Sequence, residues 1–203
     1  IEQRVIKRVV DIILSVIALI PALPLMAVTA LLIKIEDGGS IIYKQKRLTQ
    51  DGREFYVYKF RSMREDAEKD GVARLAGEHD DRITKVGRVI RAIRFDELPQ
   101  LLNILKGEMS LIGPRPERVS SLEDYTPFIE KRLNMRPGLT GLAQVSGNIY
   151  LDLQERYRLD VYYVEHFSLC LDLKILIRTI WVVLFGEERY KNSPLVRVEE
   201  KAE

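Results

Sequence analysis

The stretch "IILSVIALIPALPLMAVTALLI", residues 12–33, runs for 22 residues without a charged side chain. An apolar helix of that length matches the hydrocarbon core of a bilayer, so the segment belongs in lipid. It is too long for the apolar core of a cleaved signal peptide, and no small-residue cleavage site precedes Lys34. Pro21 and Pro24 sit near its middle; each removes a backbone donor and crowds the preceding turn, which predicts a break and two half-helices. Both flanks are basic, with Arg4, Lys7 and Arg8 before the run and Lys34, Lys44, Lys46 and Arg47 after it. Basic flanks stay on the cytoplasmic side, so both ends favour the same face. A re-entrant segment satisfies both flanks, and a kinked spanning helix is the alternative. Asp11 is expected to pair with Lys7 or Arg8 near the headgroups.

Outward from this segment, the chain divides into a membrane helix-break-helix over residues 1–36 and a membrane-associated remainder over 37–203 that together form one catalytic unit. Its 203 residues, 46% hydrophobic and 31% charged, suit one domain with a sizeable core. A net charge of +2 gives no reason to expect a nucleic-acid partner. The charge is unevenly placed: residues 65–82 carry seven acids and three bases, residues 83–95 four bases and no acid. The acidic part reads as a solvated surface helix or loop. Cys170 is the single cysteine, and His79 and His166 are far apart, which excludes an intrachain disulfide and leaves no Cys- or His-based metal cluster.

The runs "IIYKQKR" and "REFYVYKFRSM", separated by an Asp-Gly turn, predict a β-hairpin whose second strand delivers Lys59 and Arg61. "ITKVGRVIRAIR" places Val86, Val89, Ile90 and Ile93 at helical spacing and Arg88, Arg91 and Arg94 on another face. "DELPQLLNILKG" predicts the next helix. Pro99 is tolerated only in its first turn, so Asp96 and Glu97 are expected at the helix start and Gly107 at its stop. An acid at that position is either a cap or a group facing phosphate; a helix start would keep Asp96 ionised in both cases. Two loops, residues 110–117 and 136–147, combine an arginine with Gly and Pro, a pattern that suits phosphate oxygens and ordinary turns alike. Residues 168–186 predict an amphipathic helix half sunk in the membrane interface, with a buried core helix as the alternative. The last residues, "VRVEEKAE", are expected to fray. The fold class is therefore mainly α with a small β-hairpin, attached to one face of a membrane.

"KRVVD" before a proline-broken apolar segment, "YKFRSM", "DELPQLLNILKGEMSLIGPRP", "RPGLTGLAQVSG" and "LDVYYVEHFSLCLDLKIL" together resemble the bacterial sugar transferase family, the monotopic phosphoglycosyl transferases. The resemblance runs nearly end to end. It implies a re-entrant helix with both ends in the cytoplasm, at the bacterial inner membrane. It implies Mg²⁺-dependent transfer of a sugar 1-phosphate from a nucleotide sugar, by family default a UDP-sugar, to polyprenyl phosphate, an opening membrane step of polysaccharide or glycoconjugate synthesis. The family's catalytic Asp-Glu pair falls on Asp96 and Glu97, which are also expected to bind the metal; on that basis Asp96 is expected to attack the sugar-bearing phosphorus and form a covalent phosphosugar intermediate, and Glu97 to bind metal or orient the acceptor. Its phosphate-handling residues fall on Lys59, Arg91, Arg115 and Arg136. Two positions depart from the pattern, Leu23 before Pro24 and Leu142 where many members have Trp. The absent initiator Met and the "DDRITKVGR" linker fit the catalytic part of a longer member, and the interfacial helices leave room for a homodimer. A membrane-anchored nucleotide-sugar hydrolase and a non-enzymatic membrane interaction module are the competing readings.

Overall fold

A computed structural model describes residues 2–64, 67, 80–196 and 198. The acidic stretch, apart from its ends, His79 and most of the C-terminal "VRVEEKAE" lie outside the described residues. In chain order the elements are α1 (Glu2–Asp37), β1 (Ile42–Leu48), β2 (Glu54–Phe60), α2 (Lys85–Ala92), α3 (Gln100–Lys106), β3 (Ser110–Ile112), α4 (Pro127–Glu130), β4 (Gly138–Thr140), α5 (Leu142–Val145), α6 (Leu153–Glu165) and α7 (Leu169–Phe185).

Helix α1 is one helical element of 36 residues with Pro21 and Pro24 inside it. The expected division into two half-helices is thus corrected to a continuous helix. Leu, Ala and Met around the prolines favour helix, and an apolar surrounding offers backbone groups no partner outside the helix. Among the described residues it is the one helix long and apolar enough to cross a membrane, with a mean hydropathy of 2.6 over its most apolar window. Its buried positions are Lys7, Asp11, Ser15, Ala22, Thr29 and Ile33, spaced by four or seven so that they share one face. That inward face is the more polar one, while Val9, Ile13, Ile17, Ile20, Leu31 and others are exposed.

Both ends of α1 are tied to the same body. Near the start, Lys7 Nζ donates to Asp172 Oδ2 of α7 at 2.7 Å, and Asp11 accepts from Ser110 Oγ at 2.7 Å and from Leu111 N at 3.1 Å. Asp11 therefore pairs with β3, in place of the Lys7 or Arg8 expected, because burial against the strand leaves its donors as the nearest partners. Near the end, Asp37 pairs with Arg61, Glu36 accepts from the backbone N–H groups of Lys85 and Val86, and Ile33 packs with Phe60 and Ile90.

The hairpin forms as expected. Strands β1 and β2 pair antiparallel from Ile42 opposite Phe60 to Leu48 opposite Glu54, and the turn uses the left-handed backbone of Asp51 and Gly52. Helix α3 is fastened across β2 by Asn103, which is fully buried: its Oδ1 accepts from Tyr58 N, and its Nδ2 donates to Tyr56 O and Glu108 Oε2. Strands β3 and β4 form a short parallel pair. They approach so closely that a Cβ on Gly138 would lie 2.1 Å from Gly113 N, so the glycines are required for packing. Behind this pair, Leu142, Val145, Tyr163 and Ile175 from α5, α6 and α7 build the larger core. Residues 142–145, read as loop from sequence, thus form a buried helical turn. Helix α7 exposes Leu173, Ile177, Ile180, Trp181 and Leu184 while turning Asp172 and Ile175 inward.

Candidate active site

Asp96 and Glu97 lie on a 3₁₀ turn, Phe95–Glu97, between α2 and α3. Helix α3 itself begins at Gln100, and Pro99, with helical φ −60° and ψ −17°, takes the cap position. The expectation of an α-helix starting on the two acids is corrected accordingly: Pro99 lacks the N–H that α-helical pairing needs, so the turn before it closes with tighter bonds such as Leu98 N to Phe95 O. No side-chain cap forms on this turn. It is preceded by Arg94 at φ 60°, a left-handed backbone unusual for a side chain of this size, which ends α2 and sets the direction of the turn.

The two carboxylates occupy opposite electrostatic conditions. Glu97 accepts from Lys59 Nζ at 2.6 Å and has Arg115 at 3.9 Å. Burial pushes its carboxyl up, but the two cations outweigh burial and hold it at about 2. Asp96 is half-buried and has no hydrogen-bond or ion-pair partner among the described residues. Burial and the neighbouring Glu97 charge push its carboxyl above the usual range, against the pull of Lys59, Arg91 and Arg94. The helix start therefore does not lower the Asp96 carboxyl; the member of the pair held down is Glu97. Adjacent acids driven apart in this way suit different tasks.

Of the basic residues read from sequence, Lys59 and Arg115 meet Glu97 directly, and Lys59 and Arg91 bear on Asp96 through their charge. Arg136 does not join them. Its Nε donates to Gly107 O at 2.8 Å, beside Arg8, which donates to Ile104 O and Leu105 O. Both arginines satisfy carbonyls at the C-terminal end of α3, where cations are favoured, and the seven residues of α3, about 10 Å of helix, separate that end from the turn carrying Glu97.

Sequence reading missed two supports. Arg132, buried with Asp160 as its ion-pair partner, also donates to Tyr125 Oη at 2.6 Å and to Arg115 O at 2.9 Å, and so holds the Arg115 loop. Arg94 pairs with Glu187, just beyond α7. The spacing of 28 residues between Arg132 and Asp160 carries no periodic signal that would have joined them. Beside Glu97, though not lined by Asp96, opens a cavity of about 400 Å³. One part of its wall is polar, with Arg94, Glu97 and Arg115, and the rest is largely apolar, with Leu98, Leu139 and Val182 among its residues.

No group of three or more His, Cys, Asp or Glu is placed to hold a metal among the described residues. Magnesium is commonly held by one or two carboxylates, with water and substrate phosphates completing its shell. The open Asp96 beside Glu97 fits that kind of site.

The chain matches the bacterial sugar transferase family model over residues 2–186. It is 44% identical over 187 residues to UDP-N-acetylgalactosamine-undecaprenyl-phosphate N-acetylgalactosaminephosphotransferase of Aeromonas hydrophila, covering 89% of this chain and 44% of that protein. With UDP-glucose:undecaprenyl-phosphate glucose-1-phosphate transferase of Escherichia coli it shares 37% identity over 196 residues, 93% of this chain and 42% of the relative. With exopolysaccharide production protein ExoY of Sinorhizobium fredii it shares 39% over 198 residues, 91% and 88% of the two chains. The chain thus spans less than half the length of the first two relatives and most of the third. Paired acids beside a basic cluster, an apolar N-terminal helix and a match over nearly every residue agree: this chain belongs to the bacterial sugar transferase family.

Proposed function

We propose that the protein transfers a sugar 1-phosphate from a nucleotide diphosphate sugar, a UDP-sugar by analogy with its relatives, to undecaprenyl phosphate at the cytoplasmic face of the bacterial inner membrane. The observation that carries this reading is the asymmetric pair: Glu97, on the wall of a largely apolar cavity, locked as an anion by Lys59 and Arg115, and the adjacent Asp96, half-buried, without an ion-pair partner among the described residues and more basic.

In the first step an Asp96 carboxylate oxygen attacks the sugar-bearing phosphorus. The bond from that phosphorus to the bridging oxygen breaks, and nucleoside monophosphate leaves with the electron pair. In the second, an oxygen of the lipid phosphate attacks the same phosphorus, the acyl-phosphate bond breaks, and the Asp96 carboxylate is regenerated. A carboxylate less strongly stabilised as an anion is the better nucleophile, which favours Asp96 over Glu97. Lys59 and Arg115 orient Glu97 and offer donors to phosphate oxygens. Asp96 and Glu97 would hold Mg²⁺, which offsets charge on the donor diphosphate when bound.

The inverted character of α1, polar toward the protein and apolar outward, supports lipid as its surrounding. Attachment of both its flanks to one body supports a re-entrant path, for which the continuous helix would bend at Pro21 and Pro24. The apolar wall of the cavity favours a lipid acceptor over water, and hence a transferase over a hydrolase.

The test is nucleoside monophosphate release from the donor in the absence of lipid. Asp96→Asn is expected to abolish this burst, since an amide cannot form the acyl-phosphate; a full burst from the variant removes Asp96 as nucleophile.

A further inference from the structure

Resting on the transferase reading, we propose that the cavity between α7 and the turn carrying Asp96 is the subsite for the acceptor, a long-chain isoprenoid monophosphate, with Arg94 binding its phosphate and Glu187 occupying that place in the free protein.

Arg94 is half-exposed, lines the cavity and sits two residues from Asp96. Its partner Glu187 is almost fully buried, and the other oxygen of that carboxylate accepts from Asn148 Nδ2 at 2.8 Å. A carboxylate drawn from beyond α7 onto this arginine shows that the position selects an anion. A phosphate carries more charge and more acceptor oxygens, and Arg binds it with paired donors. Glu187 follows Gly186, whose φ is 84° and whose missing side chain leaves open space, so residue 186 presents no steric block when the incoming phosphate displaces the acid.

The rest of the cavity suits the tail. Ile93 and Val183 both line it while remaining half or more exposed, so its mouth opens on the same apolar surface that α7 presents outward. Leu98, Leu139 and Val182 continue the apolar wall inward. The volume of about 400 Å³ lies within the range of small-molecule sites and takes a phosphate with the first part of a chain.

Binding of undecaprenyl phosphate, of the UDP-sugar and of inorganic phosphate is measured by calorimetry on the full chain in detergent, with a melting curve for each variant. Arg94→Gln is expected to weaken undecaprenyl phosphate about tenfold or more while UDP-sugar affinity stays within about twofold. Glu187→Gln is expected to tighten lipid binding severalfold by removing the competing anion. Val183→Asp, on the exposed rim and so not dependent on core packing, is expected to weaken the lipid and not the donor. Equal losses for donor and lipid in Arg94→Gln place Arg94 on the donor side and overturn the assignment, as does unchanged lipid affinity. Inorganic phosphate binding as tightly as the lipid overturns the role of the apolar wall. Failure of the wild-type protein to release nucleoside monophosphate sinks the transferase chemistry, and the binding arms still decide the subsite.

Discussion

Replacing Lys59 by Met removes the closest cation from Glu97 and leaves Arg115, at 3.9 Å, as its remaining ion-pair partner. The carboxyl falls from the ordinary 4.5 to about 2 in the folded protein, which at about 1.4 kcal/mol per pH unit is on the order of 3 kcal/mol of net charge stabilisation. Solvent screening is limited, since the Lys59 and Glu97 side chains are 24% and 17% exposed. Lys59 is the largest favourable contributor, so its share is about 2 kcal/mol, or a melting temperature lower by roughly 4 to 8 °C for a chain of this size. The assay is thermal unfolding in detergent followed by near-UV circular dichroism. A carboxyl held below its unfolded value stabilises the fold above pH 4.5, and that contribution disappears as the pH falls toward 2. The deficit of Lys59→Met is therefore expected to be constant from about pH 8 to 5 and to shrink below 4.5. Adding Glu97→Gln should recover part of it, because most of the cost of breaking a buried pair is the charge left behind. A Lys59→Met protein that melts with the wild type at pH 7, or a double variant less stable than Lys59→Met, refutes the reasoning.

Asp160→Ala leaves Arg132 buried without its main counter-ion and should cost about 3 to 5 kcal/mol in denaturant unfolding; because Arg132 also holds Arg115 O, the surviving folded fraction should bind donor more weakly. Gly138→Ala puts a methyl 2.1 Å from Gly113 N, which backbone cannot yield cheaply, and should lower the melting temperature by more than about 6 °C. Cysteines placed at Arg4 and Ser40 in a Cys170→Ser background should both be labelled from the same side of sealed vesicles; protection of one flank rules out re-entry.

The parts of the fold carried by local pattern were legible in the sequence: the apolar run, the hairpin with its Asp-Gly turn, and the amphipathic helix before the acids. What escaped was set by contacts across long separations. Asp11 could be assigned only local partners, because nothing near it in sequence reports Ser110, 99 positions away. Arg136 stood in a motif beside Pro and Gly that suits phosphate binding, yet its guanidinium ends α3 in space. The acids at 96 and 97 were found by type and spacing. The difference in their acidity was not legible, because it depends on Lys59, which hydrogen-bonds to Glu97 and not to Asp96 from a strand 38 residues earlier.

The attachment of α1 at both ends bears on the order of synthesis. Lys7, Asp11 and Asp37 leave the ribosome before any of their eventual partners, which lie at Asp172, Ser110 and Arg61. Arg61 follows soon after, Ser110 at mid-chain, and Asp172 only near the end. Until then the ammonium of Lys7 has to stay hydrated, its long side chain reaching water. Within this chain α1 precedes every residue that pairs with Lys7, Asp11 and Asp37, so a ribosome stalled before Asp172 would leave Lys7 without its carboxylate.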